Sequence, residues 1–268
     1  MKSFARWLLW IALAGVALQL FFVARIALML VIAPESTAFM RSEIWRIAER
    51  RVEGKGSWQW GAEWVPYDKI SPNLKRAVMA SEDAGFTSHG GVDWDAIQAA
   101  WAKNEKRQQA AEKIDARRAE RQAKLAAKRL SQGKEPVAPA ATSKPAKVIG
   151  GSTITQQLAK NLLLSGERNL LRKGQELLLT LTLEALLSKQ RILEIYLNSV
   201  EWGDGVFGAE AAAQRYFKKP ASQLSAREAA RLAVMLPSPK FFEIRQGSAY
   251  LARRTNIIAA RMNDVGLP

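Results

Sequence analysis

The run from Leu8 to Ala33 is apolar throughout, broken only by Gln19 and Arg25. A helix needs about 20 such residues to cross a bilayer. A helix buried in a soluble protein normally keeps a polar face, which this stretch lacks. A cleaved export signal has a shorter apolar core and a small-x-small cleavage site, and no convincing site is present. Lys2 and Arg6 precede the run, so the positive-inside rule keeps the N-terminus cytoplasmic and exports the remainder. Arg25 is costly at mid-bilayer and is expected to snorkel toward an interface. Residues 1–34 are therefore expected to be the cytoplasmic N-terminus and transmembrane anchor, 35–60 a membrane-proximal segment, and 61–268 the folded domain.

The chain is 268 residues long and carries a formal charge of +15, so its partner is expected to be anionic: nucleic acid, phospholipid headgroups or a phosphorylated substrate. Export of the domain argues against nucleic acid. The absence of cysteine excludes disulfides and thiolate metal sites.

Phe39–Arg51 has the spacing of a short helix near the membrane surface. Trp58, Trp60 and Trp64 suit either core packing or a membrane interface. Ser71-Pro72 is a helix start, with Ser as N-cap and Pro in the first turn, and that helix would deliver Glu82 and Asp83 near its C-terminal end. Arg172–Asn198 reads as two consecutive helices, Glu210–Phe217 and Ser225–Leu236 as two more. Few period-two runs occur, so a mainly α domain is expected.

The stretch from Lys103 to Lys147 breaks this pattern. It holds 13 Lys/Arg and 5 Asp/Glu, more than half of the chain's net charge. Lys103–Leu130 is rich in helix formers and poor in large apolar residues, so a solvent-exposed helix of roughly 28 residues is expected. Gln132–Lys147, with Pro136, Pro139 and Pro145, reads as a linker. The whole is an insertion at about 103–147. Two readings of it stand: a tolerated surface insertion, or an electrostatic arm toward an anionic membrane or substrate.

Three clusters carry chemistry. Residues 81–91 gather Glu82, Asp83, Phe86, His89 and three glycines in one loop, although acidic loop residues are usually only solvated. Residues 150–161 place Gly151, Ser152 and Thr153 at a helix start, where free backbone N–H groups suit an anion. Gln156, Gln157 and Lys160 follow. The stretch is not a P-loop, because the Gly-Lys-Ser/Thr ending is missing, and an ordinary capped helix fits equally. Arg168, Arg172, Lys173 and Glu176 form the third cluster, for which a surface Arg172–Glu176 pair is the plainer reading.

Taken together these clusters resemble one family, the monofunctional peptidoglycan glycosyltransferases, or biosynthetic transglycosylases. The same module forms the polymerising half of bifunctional penicillin-binding proteins. Glu82-Asp83-x-x-Phe86-x-x-His89-x-Gly91 resembles the family's first motif. Gly151-Ser-Thr-Ile-x-Gln156-Gln157-Leu158-x-Lys160-Asn161 resembles the second, and Arg172-Lys173-x-x-Glu176 the third. Arg191–Asn198 with Gly203, Gly208, Ala212 and Tyr216-Phe217 resembles the fourth. Glu228, Leu232, Ala233 and Leu236-Pro237-x-Pro239 resemble the fifth. The five occur in order over about Trp64 to the C-terminus. The insertion is the main departure, since family members usually cross that stretch with a shorter loop.

The resemblance implies a mainly α, lysozyme-like glycosyltransferase domain with a small membrane-proximal lobe, behind one N-terminal transmembrane helix in the cell inner (cytoplasmic) membrane. It implies inverting transfer from a growing, lipid-pyrophosphate-linked glycan to the 4-hydroxyl of lipid II. Glu82 is expected as general base, and a Glu beside apolar groups such as Phe86 is expected to have a raised pKa. Glu176 is the second catalytic carboxylate, its role open between holding Arg168 or Arg172 and tuning Glu82. Lys160 and Arg168, with Gly151, Ser152, Thr153 and Gln157, are expected to bind the donor pyrophosphate. Asp83, Phe86, His89, Arg172 and Lys173 are expected in support. A divalent metal ion, Mg or Mn, is the expected cofactor at the pyrophosphate, with no organic cofactor. Expected partners are lipid II, the lipid-linked glycan, the membrane and other cell-wall synthesis enzymes, and no nucleic acid. With no transpeptidase domain after Pro268, cross-linking is expected from other proteins.

Two competing readings remain. A lytic transglycosylase also uses a Glu on a lysozyme-like fold, but it protonates an alkoxide leaving group and has no need of a cationic pyrophosphate site. A non-enzymatic scaffold would not need both carboxylates.

Overall fold

A computed structural model of the full chain describes residues 2–55, 58–132, 150–164 and 170–268. The chain forms two compact units, residues 1–92 with 152–268, and residues 93–151.

The first unit opens with α1, Lys2–Leu28. Its segment Ser3–Leu28 is long and apolar enough to cross a membrane. The helix ends short of the expected limit: Met29–Ile32 continue as turns, and Ala33-Pro34 follow. Pro34 disfavours helical backbone in the residue before it. Arg25 consequently falls in the last turn, where a cation opposes the helix macrodipole. Gln19, the other polar break, has a partner. It donates a hydrogen bond to Gln175 at 2.7 Å and accepts one back at 3.3 Å.

Helix α2 (Ala38–Val52) is capped by Thr37, whose hydroxyl accepts from the Met40 N–H, and buries Met40, Glu43 and Ile47. Helix α3 (Pro72–Glu82) starts where expected, with Ser71 as N-cap, and buries Leu74, Ala77 and Val78. The second unit's helix α4 spans Trp94–Leu130. It begins nine residues before the expected start because Asp93 caps it, its carboxylate accepting from the Ala96 N–H at 2.8 Å. The linker from 133 to 147 lies outside the described residues.

Back in the first unit come α5 (Ile154–Leu163), α6 (Leu170–Leu186) and α7 (Lys189–Ser199). Then follow α8 (Ala209–Phe217), α9 (Ala226–Met235), α10 (Pro239–Glu243) and α11 (Ala249–Arg261). Helix α9 carries a Ser225/Glu228 capping box. A small sheet, β1 (Gly61–Ala62), β2 (Glu201–Gly203) and β3 (Val206–Phe207), has the order β1-β3-β2, with β1–β3 parallel and β2–β3 antiparallel. Gly205 turns the hairpin at φ +72°, and a Cβ there would meet the Gln59 carbonyl oxygen at 2.1 Å.

The core is continuous across α3, α5, α7 and α9. Phe86, Tyr196 and Trp202 are among its largest fully buried side chains. Trp60 packs on Phe207 with ring centroids 5.0 Å apart, so core packing accounts for it, whereas Trp58 is exposed.

Candidate active site

The adjacent carboxylates Glu82 and Asp83 end α3 and have different surroundings. Asp83 is buried and fully engaged. One oxygen accepts from the Ile154 N–H at the start of α5 at 3.0 Å, and the other meets His89 Nε2 at 2.9 Å. His89 Nδ1 accepts from the Gly91 N–H at 3.1 Å, so the neutral imidazole with its proton on Nε2 satisfies both contacts. His89 and Asp83 thus act as braces. Gly91 has φ +87°, and a Cβ there would lie 2.8 Å from both Thr180 and Glu184 side-chain carbons. Lys189 closes the loop from the other side, donating to the His89 carbonyl at 2.6 Å and sitting over the Phe86 ring at 4.6 Å.

Glu82 is met by two side-chain donors, Gln157 and Ser81. Burial pushes its pKa up; hydrogen bonds from Gln157 and Ser81 oppose the shift, and the neighbouring Asp83 charge adds to it. Gln157 Nε2 donates to Glu82 Oε2 at 3.1 Å, and Gln157 Oε1 accepts from the Tyr196 hydroxyl at 3.0 Å. Burial, then the charges of Glu82 and Asp83, hold the Tyr196 hydroxyl in its protonated form, well above its ordinary pKa. An ionised carboxylate accepts only, so Tyr196 fixes which end of the Gln157 amide faces Glu82.

Gln157 also lines a cavity of about 360 Å³ together with Lys160, Asn161, Arg172, Glu201 and apolar walls from Phe39, Leu164 and Leu236. The expectation of free N–H groups for a phosphate at the start of α5 is not met at Thr153. Its hydroxyl donates to the Gly91 carbonyl at 2.6 Å and accepts from the Gln156 N–H, and its own N–H donates to Gln156 Oε1. Asp83 takes the Ile154 N–H. The helix start is an ordinary capped one, and the cavity forms around its later residues. Ser152 is exposed. Gly151 belongs to the second unit, where it lies against the Ile97 backbone: an added Cβ would meet Ile97 Cα at 3.1 Å. Arg168 lies outside the described residues.

Glu176 is buried and is held between Arg172, 3.7 Å away, and Lys173. Burial of the carboxylate rules out the plain surface ion pair. Glu176 is a buried counter-ion to Arg172, which lines the cavity.

The transglycosylase family profile matches residues 52–112 and 137–263. Over 271 residues the chain is 48% identical to the biosynthetic peptidoglycan transglycosylase of Burkholderia thailandensis, covering 100% of this chain and 90% of that protein. It is 46% identical to the protein of the same name from Janthinobacterium sp. over 272 residues, with both chains covered in full. The chain belongs to the transglycosylase family. The family's fold is the lysozyme-like glycosyltransferase fold, and its profile passes over residues 113–136, most of which lie in the second half of α4.

Two residues beside this transglycosylase site were not singled out from the sequence. Tyr196 sits within the fourth motif, but nothing local marks its hydroxyl as the anchor of Gln157. Glu201 was not legible at all. It lines the cavity from β2, and burial pushes its carboxyl up to about 7 despite Lys240 Nζ at 3.1 Å. Lys240 also binds Glu43, and Arg46 and Arg50 bind Asp204, so a cationic set ties α2 to the β2–β3 turn.

Proposed function

We propose that this protein polymerises lipid II into peptidoglycan strands, with Glu82 as the base that takes the proton from the acceptor's 4-hydroxyl. Membership of the transglycosylase family makes it a peptidoglycan glycosyltransferase; the assignment of individual residues is our reading. One observation carries it. Gln157 both holds the Glu82 carboxylate and lines the cavity that contains Lys160 and Arg172. A base and a cationic pyrophosphate cradle are thus joined through one side chain. The acceptor oxygen attacks the donor's anomeric carbon as its proton passes to Glu82, and the bond to the lipid pyrophosphate breaks with inversion. The leaving group is already a stable anion, so cations serve it better than an acid. A lytic enzyme has no use for this arrangement.

A divalent metal at the pyrophosphate finds a poor donor set among the described residues. Glu201 is the one carboxylate lining the cavity, and it is shared with Lys240 and inclined to keep a proton near neutral pH. Glu43, Glu201 and Asp204 lie close together, but Arg46, Arg50 and Lys240 already pair with them.

The anchor supports an inner-membrane enzyme with its domain in the periplasm. Helix α6, hydrogen-bonded to α1 through Gln175, leaves Leu171, Leu178 and Leu181 exposed, which suits a bilayer beside the domain and access to a lipid-linked substrate.

The test is incubation of the purified full chain with lipid II alone. The expected product is a polymer that muramidase degrades. Release of fragments from preformed peptidoglycan without any polymer from lipid II would establish the lytic reading instead.

A further inference from the structure

Charge along α4 is sorted by face. The helix carries ten Lys/Arg and five Asp/Glu. At 100° per residue every Lys and Arg falls within an arc of about 160°; Glu105, Glu112, Asp115 and Glu120 occupy the remainder, and Asp95, in the first turn, sits at the arc's edge. Ile114 and Leu125, both exposed, fall inside the basic arc. Seven of the ten cations lie between residues 113 and 130, the part of the helix that the family profile does not cover. The stripe therefore needs a purpose of its own. A helix with a basic face would be soluble with its charges scattered; sorting them is what an anionic plane requires.

We propose that the basic face of α4 docks on the anionic phospholipid surface of the membrane in which α1 is anchored. Three observations favour lipid over another polyanion. The chain holds itself at a bilayer through Ser3–Leu28, so that surface is always near. The stripe runs about 40 Å from Lys103 to Arg129, at 1.5 Å per residue, which matches a plane better than a compact acidic patch. Ile114 and Leu125 sit among the cations, where they reach between headgroups, whereas a fully hydrated polyanion offers them nothing. Each cation near such a surface raises occupancy about five-fold, and salt screens the attraction.

The absence of cysteine permits a face-specific test. Ala110 lies at the centre of the basic arc and Ala116 on the acidic side, and both are exposed. Full-length Ala110→Cys and Ala116→Cys proteins, each labelled with an environment-sensitive dye, are reconstituted in phosphatidylglycerol/phosphatidylcholine vesicles and in pure phosphatidylcholine vesicles. The dye at residue 110 is expected to shift to the blue and resist acrylamide quenching on the anionic vesicles alone. The dye at residue 116 is expected to remain quenchable on both. Raising salt to about 0.5 M should abolish the protection. Combining Ala110→Cys with Lys113→Gln, Arg117→Gln, Arg121→Gln and Lys124→Gln should lower the docked fraction relative to undocked by about 100-fold or more. These Gln substitutions keep helix propensity, and circular dichroism checks that the helix persists. Equal quenching at residue 110 on the two vesicle types, equal protection of residues 110 and 116, or protection that survives the four substitutions would each overturn the proposal.

Discussion

Helices α5 and α4 both carry cations, and they differ in how their side chains are held. Seven of the ten residues of α5 are buried, and its cap residue Thr153 is locked by three hydrogen bonds. In α4, 37 residues long, Ala100 is the one described side chain that is buried. Burial fixes a side chain in one orientation, so each buried residue of α5 has its own task and no substitute. An exposed helix holds its side chains loosely, and what it can do depends on the sum of its charges. Substitutions in the first region should have large, residue-specific effects, and single substitutions in the second should have almost none.

Glu82→Gln should have the largest effect. It keeps size and burial and removes the base, and a positioned base contributes about 10²–10⁴-fold. Polymerisation from lipid II should fall by that order while thermal unfolding stays near that of the parent protein. Near-parental turnover would remove Glu82 from the mechanism and with it the contrast between the regions.

Lys160→Ala removes a charge-assisted contact worth about 1.5–3 kcal/mol, or roughly 10–100-fold in kcat/KM. Lys160 is exposed, so its loss should leave stability unchanged. A loss of activity that tracks a drop in Tm would mean that the residue is structural.

Glu201 offers a pH readout. Its folded-state carboxyl is raised to about 7, above its ordinary value, so the folded chain holds that proton more tightly than the unfolded chain does. The associated stability is present at pH 4 and is lost as pH rises through about 7. Glu201→Gln cannot ionise, and should gain roughly 1–3 kcal/mol relative to the parent between pH 5 and pH 9. Parallel denaturation curves for the two proteins across that range would show that Glu201 titrates normally.

Tyr196→Phe breaks the relay one step back from the carboxylate. Gln157 Oε1 loses its donor and the amide can turn, so kcat should fall several-fold, about 1 kcal/mol, with KM nearly constant. Because Gln157 then orients Glu82 less well, the pH profile of kcat should also shift. A drop in Tm with no change in that profile would mean that Tyr196 only packs the core.

What the sequence disclosed, and what it did not, follows the same division. Helix starts were legible where the signal is local: Ser71-Pro72 before α3 and the Ser225/Glu228 box before α9. Glu82, Gln157, Lys160 and Arg172 were legible because their spacing repeats a family pattern. The duties of Asp83 and Thr153 were not, because they depend on contacts with residues 71 and 62 positions away. Glu201 gains its shift from burial, against the pull of Lys240, and no spacing reveals either. Helix α11 was missed although Leu251, Thr255, Ile258 and Met262 mark its buried side at helical intervals, with only Thr255 interrupting the apolar pattern.

The smallest expected effect lies in α4. Arg121→Ala removes one of ten cations from an exposed helix whose neighbours compensate. Alanine is a good helix former, so stability should change by less than about 0.5 kcal/mol. Polymerisation in anionic vesicles at low salt should change by less than about two-fold, because the other nine cations keep the helix docked. The same substitution in neutral vesicles should have no measurable effect. A large loss from Arg121→Ala alone would mean that this side chain has a private partner, as the residues of α5 do. The contrast drawn between the helices would then fail at that position.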